Sequence, residues 1–342
     1  MTKNFWTRDD GRLHPYVYFI LIFFPLVCGL IGLSMGRMDI KISEIILFFK
    51  NLIGGGQVDP LMESLIINIR LPRVLTALVV GGGLTAAGIA FQALFSNPLA
   101  TPDILGVTSA ASLGAVLGII LSLGTMGIQV LAMIFGLLSI LITINLVKRD
   151  ETSMIMLVLA GIIVSSLANA LASLLKYTAD PMDKLPQITY WLMGSFGRTS
   201  YKNLALAGPL ILISIFVIYK MRWSLNLLSL SEDEARSLGI NVKKTRLIFI
   251  LAATLITASS VSICGQIGWI GLIIPHLVRL MVGSNNLYTL PLGISFGAGF
   301  MVLIEALSRA VSVIELPISI LTAIIGAPIF IILMRRSGGI FK

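Results

Sequence analysis

YVYFILIFFPLVCGLIGLSM, residues 16–35, holds no charged side chain. A helix rises about 1.5 Å per residue, so this stretch reaches about 30 Å, the depth of a bilayer's hydrocarbon core. Nothing in it alternates apolar with polar as a barrel strand would, and backbone in lipid must satisfy its own hydrogen bonds, which leaves the helix. Lys3, Arg8 and Arg12 precede it and no small-residue cleavage site follows, so it reads as a retained span rather than a signal peptide.

The same pattern recurs along the chain. Of 342 residues 56% are hydrophobic and only 12% charged, and the mean hydropathy of +0.97 excludes a soluble domain pair. Apolar runs and turn signals predict about ten spans, near 16–35, 66–92, 104–122, 126–147, 154–176, 203–221, 245–264, 266–282, 288–307 and 317–334. An even number places both termini on one side, and 15 of the 25 Lys and Arg fall there, so that side is expected to be cytoplasmic. The net charge of +9 is dispersed between spans and reads as topology, with no nucleic-acid partner expected. Cys28 and Cys264 lie within apolar runs as small core residues. Gly32 and Gly36, Gly114 and Gly118, Gly293 and Gly297, and Gly81–Gly83 with Gly88 are spaced for close helix contact in lipid. The whole chain, 1–342, is expected to form a single transmembrane domain.

One wet stretch stands out against this background: SLSEDEARSLGINVKK, residues 229–244, between the sixth and seventh spans. Ser231 is an N-cap, Glu232, Asp233 and Glu234 fill the first turn, and Gly239 closes a short helix. Two readings fit: an ordinary capped connector, or a docking helix for a partner. A partner is needed if transport is to be powered. Gly-rich runs such as GGGLTAAG lack the Lys-Ser/Thr ending of a phosphate-binding loop, and no span carries a buried relay of acids and bases.

The order of several motifs identifies a family. RLPR at 70–73, QALFSNPLATPDILG at 92–106, LAG at 159–161, YWLMGSFG at 190–197, LSLSEDEARSLG at 228–239, GQIGWIGLIIPHLVR at 265–279 and ELPISILTAIIGAPIF at 315–330 resemble, in register, the permease subunits of type II ABC importers, which take up iron–siderophores, haem, vitamin B12 and some oxyanions. The resemblance covers roughly residues 15–336. It implies an all-α fold like the vitamin B12 importer permease, two copies enclosing a central path, an extracytoplasmic substrate-binding protein, and a cytoplasmic ATPase dimer that binds ATP and Mg. No cofactor, metal or catalytic residue is expected in this chain. It implies a bacterial or archaeal cell membrane, the inner one where there are two. It also assigns the segment 224–243 to ATPase coupling, with Ser231, Glu232, Glu234, Ala235, Leu238 and Gly239 in contact.

By the same resemblance Arg70, Arg73 and Arg309, at the outer ends of spans, are expected to dock acidic residues of the binding protein, against the alternative of interfacial snorkelling. Glu305 and Arg309, four apart, are expected to form a local ion pair. Thr152 and Ser153 resemble the family's cytoplasmic gate residues. His276 reads as a structural hydrogen-bonder near a broken helix, since neither it nor His14 has metal-ligand spacing to another residue. The chain departs from the commoner pattern at Ser231 (usually Gly), Glu305 (Asp), Trp269 (Phe) and Gln266. With DPMDKLPQITYWLMGS at 180–195 these departures resemble a subgroup that includes molybdate and tungstate importers. On family frequency the expected cargo is a metal chelate (iron–siderophore, haem or cobalamin), and the signature makes molybdate or tungstate the alternative. An ion-coupled secondary transporter would show intramembrane acids and inverted repeats, and neither is evident. A membrane scaffold without transport is opposed by the coupling segment.

Overall fold

Each apolar run becomes a helix whose ends are set by the polar residues between runs. The computed structural model describes residue 6 and residues 13–147 and 154–336, and no strand occurs among the described residues. α1 (Pro15–Ser34) is followed by α2 (Ile42–Gly54), which ends on Gly55 in the left-handed region, and by the one-turn α3 (Pro60–Glu63), capped by the Asp59 carboxylate. A π-helical stretch, Ser64–Arg70, runs directly into α4 (Leu71–Leu94). Next come α5 (Val107–Ile120), α6 (Thr125–Leu146), α7 (Met154–Tyr177), the short α8 (Lys184–Leu192) and α9 (Tyr201–Lys220). Two short helices, α10 (Arg222–Leu227) and α11 (Glu232–Ser237), precede α12 (Val242–Cys264), α13 (Ile270–Val282), α14 (Asn286–Ala310) and α15 (Ile318–Arg336).

Among the described residues 7 helices are long and apolar enough to cross a membrane, taking Pro60–Leu94 as one, and α5, α13 and α15 are shorter apolar helices. Together they are the ten spans that hydropathy predicts. Their alternating directions bring the start of α1 and the end of α15 to the end of the bundle that carries α10 and α11. The polar stretches near 36–65 and 177–202 hold helices that hydropathy alone does not show. In α2, Glu44 reaches back to the Lys41 amide while Ile45 and Phe48 turn inward, a face too short to span.

α4 is the axis of the bundle: 83% of its most apolar window is buried, against 28% for α1 and α7. It packs on α14, α12, α9 and α13. Contact this close needs residues without side chains, because lipid supplies no hydrophobic force to drive helices together. A Cβ on Gly81 would run into the Gly297 carbonyl of α14, and one on Gly88 into the Gly271 carbonyl of α13. Between α12 and α13 the chain leaves the helix at Gly265 and re-enters it at Trp269, whose φ of 72° is a strained conformation for a bulky residue.

Candidate functional site

The α10–α11 end is organised by a cap. Ser231 Oγ accepts from the Glu234 amide at 3.4 Å, and Glu234 Oε2 accepts from the Ser231 amide at 3.1 Å, so each satisfies a helix-end donor of the other. These hydrogen bonds, the one to the Ser231 side chain first, hold the Glu234 carboxyl below its usual range. Glu232 accepts from Arg236 within α11 and from Arg246 on α12, fastening the short helix to a long one. Gly239 closes α11 at φ 83°, and a Cβ there would meet nothing, so the requirement is conformational.

Burial divides the predicted coupling residues. Leu238 is 54% exposed, and Leu230, which the sequence reading did not single out, is 42% exposed. Ala235 is the correction: it is 1% exposed and packs in the core, because Ile240 folds back to donate to its carbonyl and α12 covers it. The signal for Leu230 is present in the sequence as an apolar residue beside a charged, capped turn. An open hollow of about 480 Å³ lies beside α11, lined by Arg236, Gly239, Asn241 and Lys243 among others.

At the opposite end the three predicted docking arginines are turned inward. Arg70 is 2% exposed and donates to the carbonyls of Leu33, Ser34 and Met38. Arg309, 6% exposed, holds Glu305 bidentately at 2.7 Å through Nε and Nη2 and donates to the Gly32 and Met35 carbonyls. Arg73, 9% exposed, pairs with Glu315 at 2.9 Å and donates to the Gly197 carbonyl. Two of the three therefore cap the carbonyl end of α1, where positive charge is favoured, and the third joins α4 to the loop before α15. Their donors serve the fold, because a guanidinium this buried must be paired inside the protein. The expected Glu305–Arg309 pair is present, and the expected display of these arginines to a binding protein is not.

The helix break gathers the unusual residues. Gln266 donates to Ser112 Oγ of α5 at 2.8 Å; Ser195 N donates to the Cys264 carbonyl at 2.8 Å; and a Cβ on Gly194 would strike the Gln266 carbonyl. Trp269 packs on Phe330 of α15. Residues 191–195 and 264–266, far apart in sequence, thus meet at one junction, while Trp269 packs on α15 instead. His276 differs from expectation: it packs edge-on to Phe330, but its Nε2 is buried without a partner. Thr152 and Ser153 lie outside the described residues. Among the described residues no three His, Cys, Asp or Glu side chains group as metal ligands, and Cys28 and Cys264 are buried free thiols.

The profile of the FecCD transport family matches residues 22–336. The molybdate import system permease protein MolB of Haemophilus influenzae is 39% identical over 94% of this chain and 96% of its own length. The probable iron chelatin transport system permease protein of Helicobacter pylori strain 26695 is 36% identical over 82% of this chain and 85% of its own. A solved ABC transporter structure, described as of metal-chelate type and in an inward-facing conformation, superposes with a TM-score of 0.86 at 38% identity, covering 94% of this chain and 100% of that one.

Proposed function

The chain belongs to the FecCD transport family, and from that premise we propose that it is the membrane-spanning permease of an ATP-driven, binding-protein-dependent importer, with the α10–α11 end facing the cytoplasm. The observation that carries this is α11 itself: a helix fixed by a reciprocal cap, tied through Glu232 to Arg246, and flanked by the exposed Leu230 before its N-cap and Leu238 at its C-cap. Exposed apolar residues at both ends of a rigid, charged helix are what a partner cleft can grip. α12, to which α11 is fastened, packs on α4, α5, α6 and α9 and ends at the break before Trp269. Movement of an ATPase against α11 is therefore passed along a stiff rod to the middle of the bundle. Hydrolysis is the work of that separate ATPase; this chain contributes the path. A second copy of the chain completes the path, and a binding protein delivers cargo at the opposite end.

For the cargo we propose a molybdate-class oxyanion. The support is the packing of the 191–195 turn against Cys264–Gln266, together with the likeness to a molybdate permease over nearly the whole chain. The second reading, a metal chelate, is supported by the iron chelatin relative. Proteoliposomes holding the permease, its ATPase and its binding protein separate the two. ATP-dependent accumulation of labelled molybdate, without uptake of ferric siderophore, haem or cobalamin, is the expected result. The reverse pattern moves the cargo to chelates, and uptake driven by an ion gradient without ATP removes the importer reading altogether.

A further inference from the structure

Where α4 ends, at the α10–α11 end of the bundle, a cavity of about 460 Å³ opens between the loop after α4, α10, α13 and the start of α14. Arg279 of α13 lines it. Its Nη1 donates to Gln92 Oε1, while Gln92 Nε2 donates to the Gly271 carbonyl at 3.2 Å, so the guanidinium is held in place by an amide that is itself anchored. Among the described residues no carboxylate pairs with Arg279, and none lines the cavity. This sets it apart from Arg73 and Arg309, each of which has its glutamate. A partly buried cation without an anion is costly, and the cost falls when an anion enters.

Three further polar residues of the lining keep unspent groups. His276 Nε2 is buried with no partner. Asn286, 6% exposed, lines the cavity with an unpartnered side-chain Oδ1. Asn97 uses its Oδ1 to accept from Leu99 N, which leaves its NH2 unspent among the described residues. On the α10 side, Asn226 Oδ1 accepts from the Asn286 amide at 2.8 Å and Ser229 Oγ donates to the Asn226 carbonyl at 2.7 Å, fixing that wall. The available polar groups thus come from three separate elements, α13, the loop after α4 and the start of α14, where a planar carboxylate would need only the arginine fork.

We propose that this cavity binds a tetrahedral oxyanion group, either a free oxyanion or the phosphate of an anionic lipid. The volume accommodates the former with its waters or the latter with its glycerol. Because Asn226 and Ser229 belong to the segment that carries α11, the occupant sits between that segment and the helices around the break. The proposal does not rest on the import reading, since binding is measured on the permease without ATPase, binding protein or cargo flux.

The test uses the full-length permease purified in detergent. Titration calorimetry with molybdate, tungstate, sulfate and phosphate is one arm, and native mass spectrometry with phosphatidylglycerol against phosphatidylcholine is the other. Saturable binding in the first arm identifies a soluble oxyanion, and selective retention of phosphatidylglycerol identifies a lipid phosphate. Arg279→Gln should weaken either at least tenfold. Since that change also disturbs the Gln92 link, Ser229→Asp serves as the second variant: it brings a tethered carboxylate to the wall without touching α4 or α13, and should weaken binding by a similar factor. Lys184→Gln, at the far end, should leave binding unchanged. Absence of binding in both arms overturns the proposal, as does binding that both cavity variants leave intact.

Discussion

At the residue scale, the arginines of the end opposite α11 show how a membrane protein keeps charge. Arg309 and Glu305 sit four apart on α14, nearly out of solvent, and the arginine's other donors hold the last carbonyls of α1. Removing one partner leaves a buried charge without compensation, a loss of roughly 3–5 kcal/mol. Glu305→Gln should therefore lower the unfolding midpoint in detergent by several degrees. Glu305→Asp keeps the charge on a side chain one methylene shorter and should lower it far less. Equal midpoints for the two variants would show that the charge contributes nothing.

At the scale of the element, α11 is only six residues long and depends on its cap. Ser231→Ala should speed amide exchange in α11 about fivefold, the equivalent of the roughly 1 kcal/mol that a serine cap contributes. Glu234 adds a pH dependence. Its carboxyl titrates lower in the folded chain than its ordinary value of 4.5, so its contribution is complete above that value and is lost as the pH falls through the folded one. Exchange in α11, corrected for intrinsic rates, should therefore rise in acid and stay flat above neutrality, and a rise in base instead would contradict the cap. The same helix separates packing from docking. Leu238→Asp should abolish co-purification of the ATPase and leave the unfolding midpoint unchanged, whereas Ala235→Asp should lower the midpoint because it places a charge in the core. A wild-type level of ATPase recovery with Leu238→Asp would remove the docking role.

At the scale of the whole molecule, burial is uneven. α4, α12 and α14 are enclosed, while α1, α7 and α9 leave most of their apolar surface outside the chain. In lipid that surface is not a defect, and only part of it need meet protein. The proposed second copy predicts that the permease in mild detergent has the mass of two chains by native mass spectrometry, and that the complex adds two ATPase subunits. A monomer at every protein concentration would remove the central path between copies.

What the sequence determined by itself follows from short-range physics. Twenty uncharged residues must form a helix in lipid, so the ten spans are legible from 16–35 onward. Ser231, Glu234 and Gly239 act on neighbours three to five positions away, so α11 and its ends are legible too. The ordered motifs made the family recognisable. The destination of each long side chain was not legible. Arg70, Arg73 and Arg309 at helix ends look the same in sequence whether they face water or not, and only the closeness of α1, α4 and α14, with the loop before α15 for Arg73, decided that they turn inward. Ala235 and Leu238 differ in exposure because of α12, which lies beyond them in the chain. Gln92 and Arg279 are 187 positions apart, and Gly194 meets Gln266 across another long interval. Such contacts depend on which helices pack side by side, and that is settled by the fit of glycine-lined surfaces in three dimensions, which no local pattern of residues encodes.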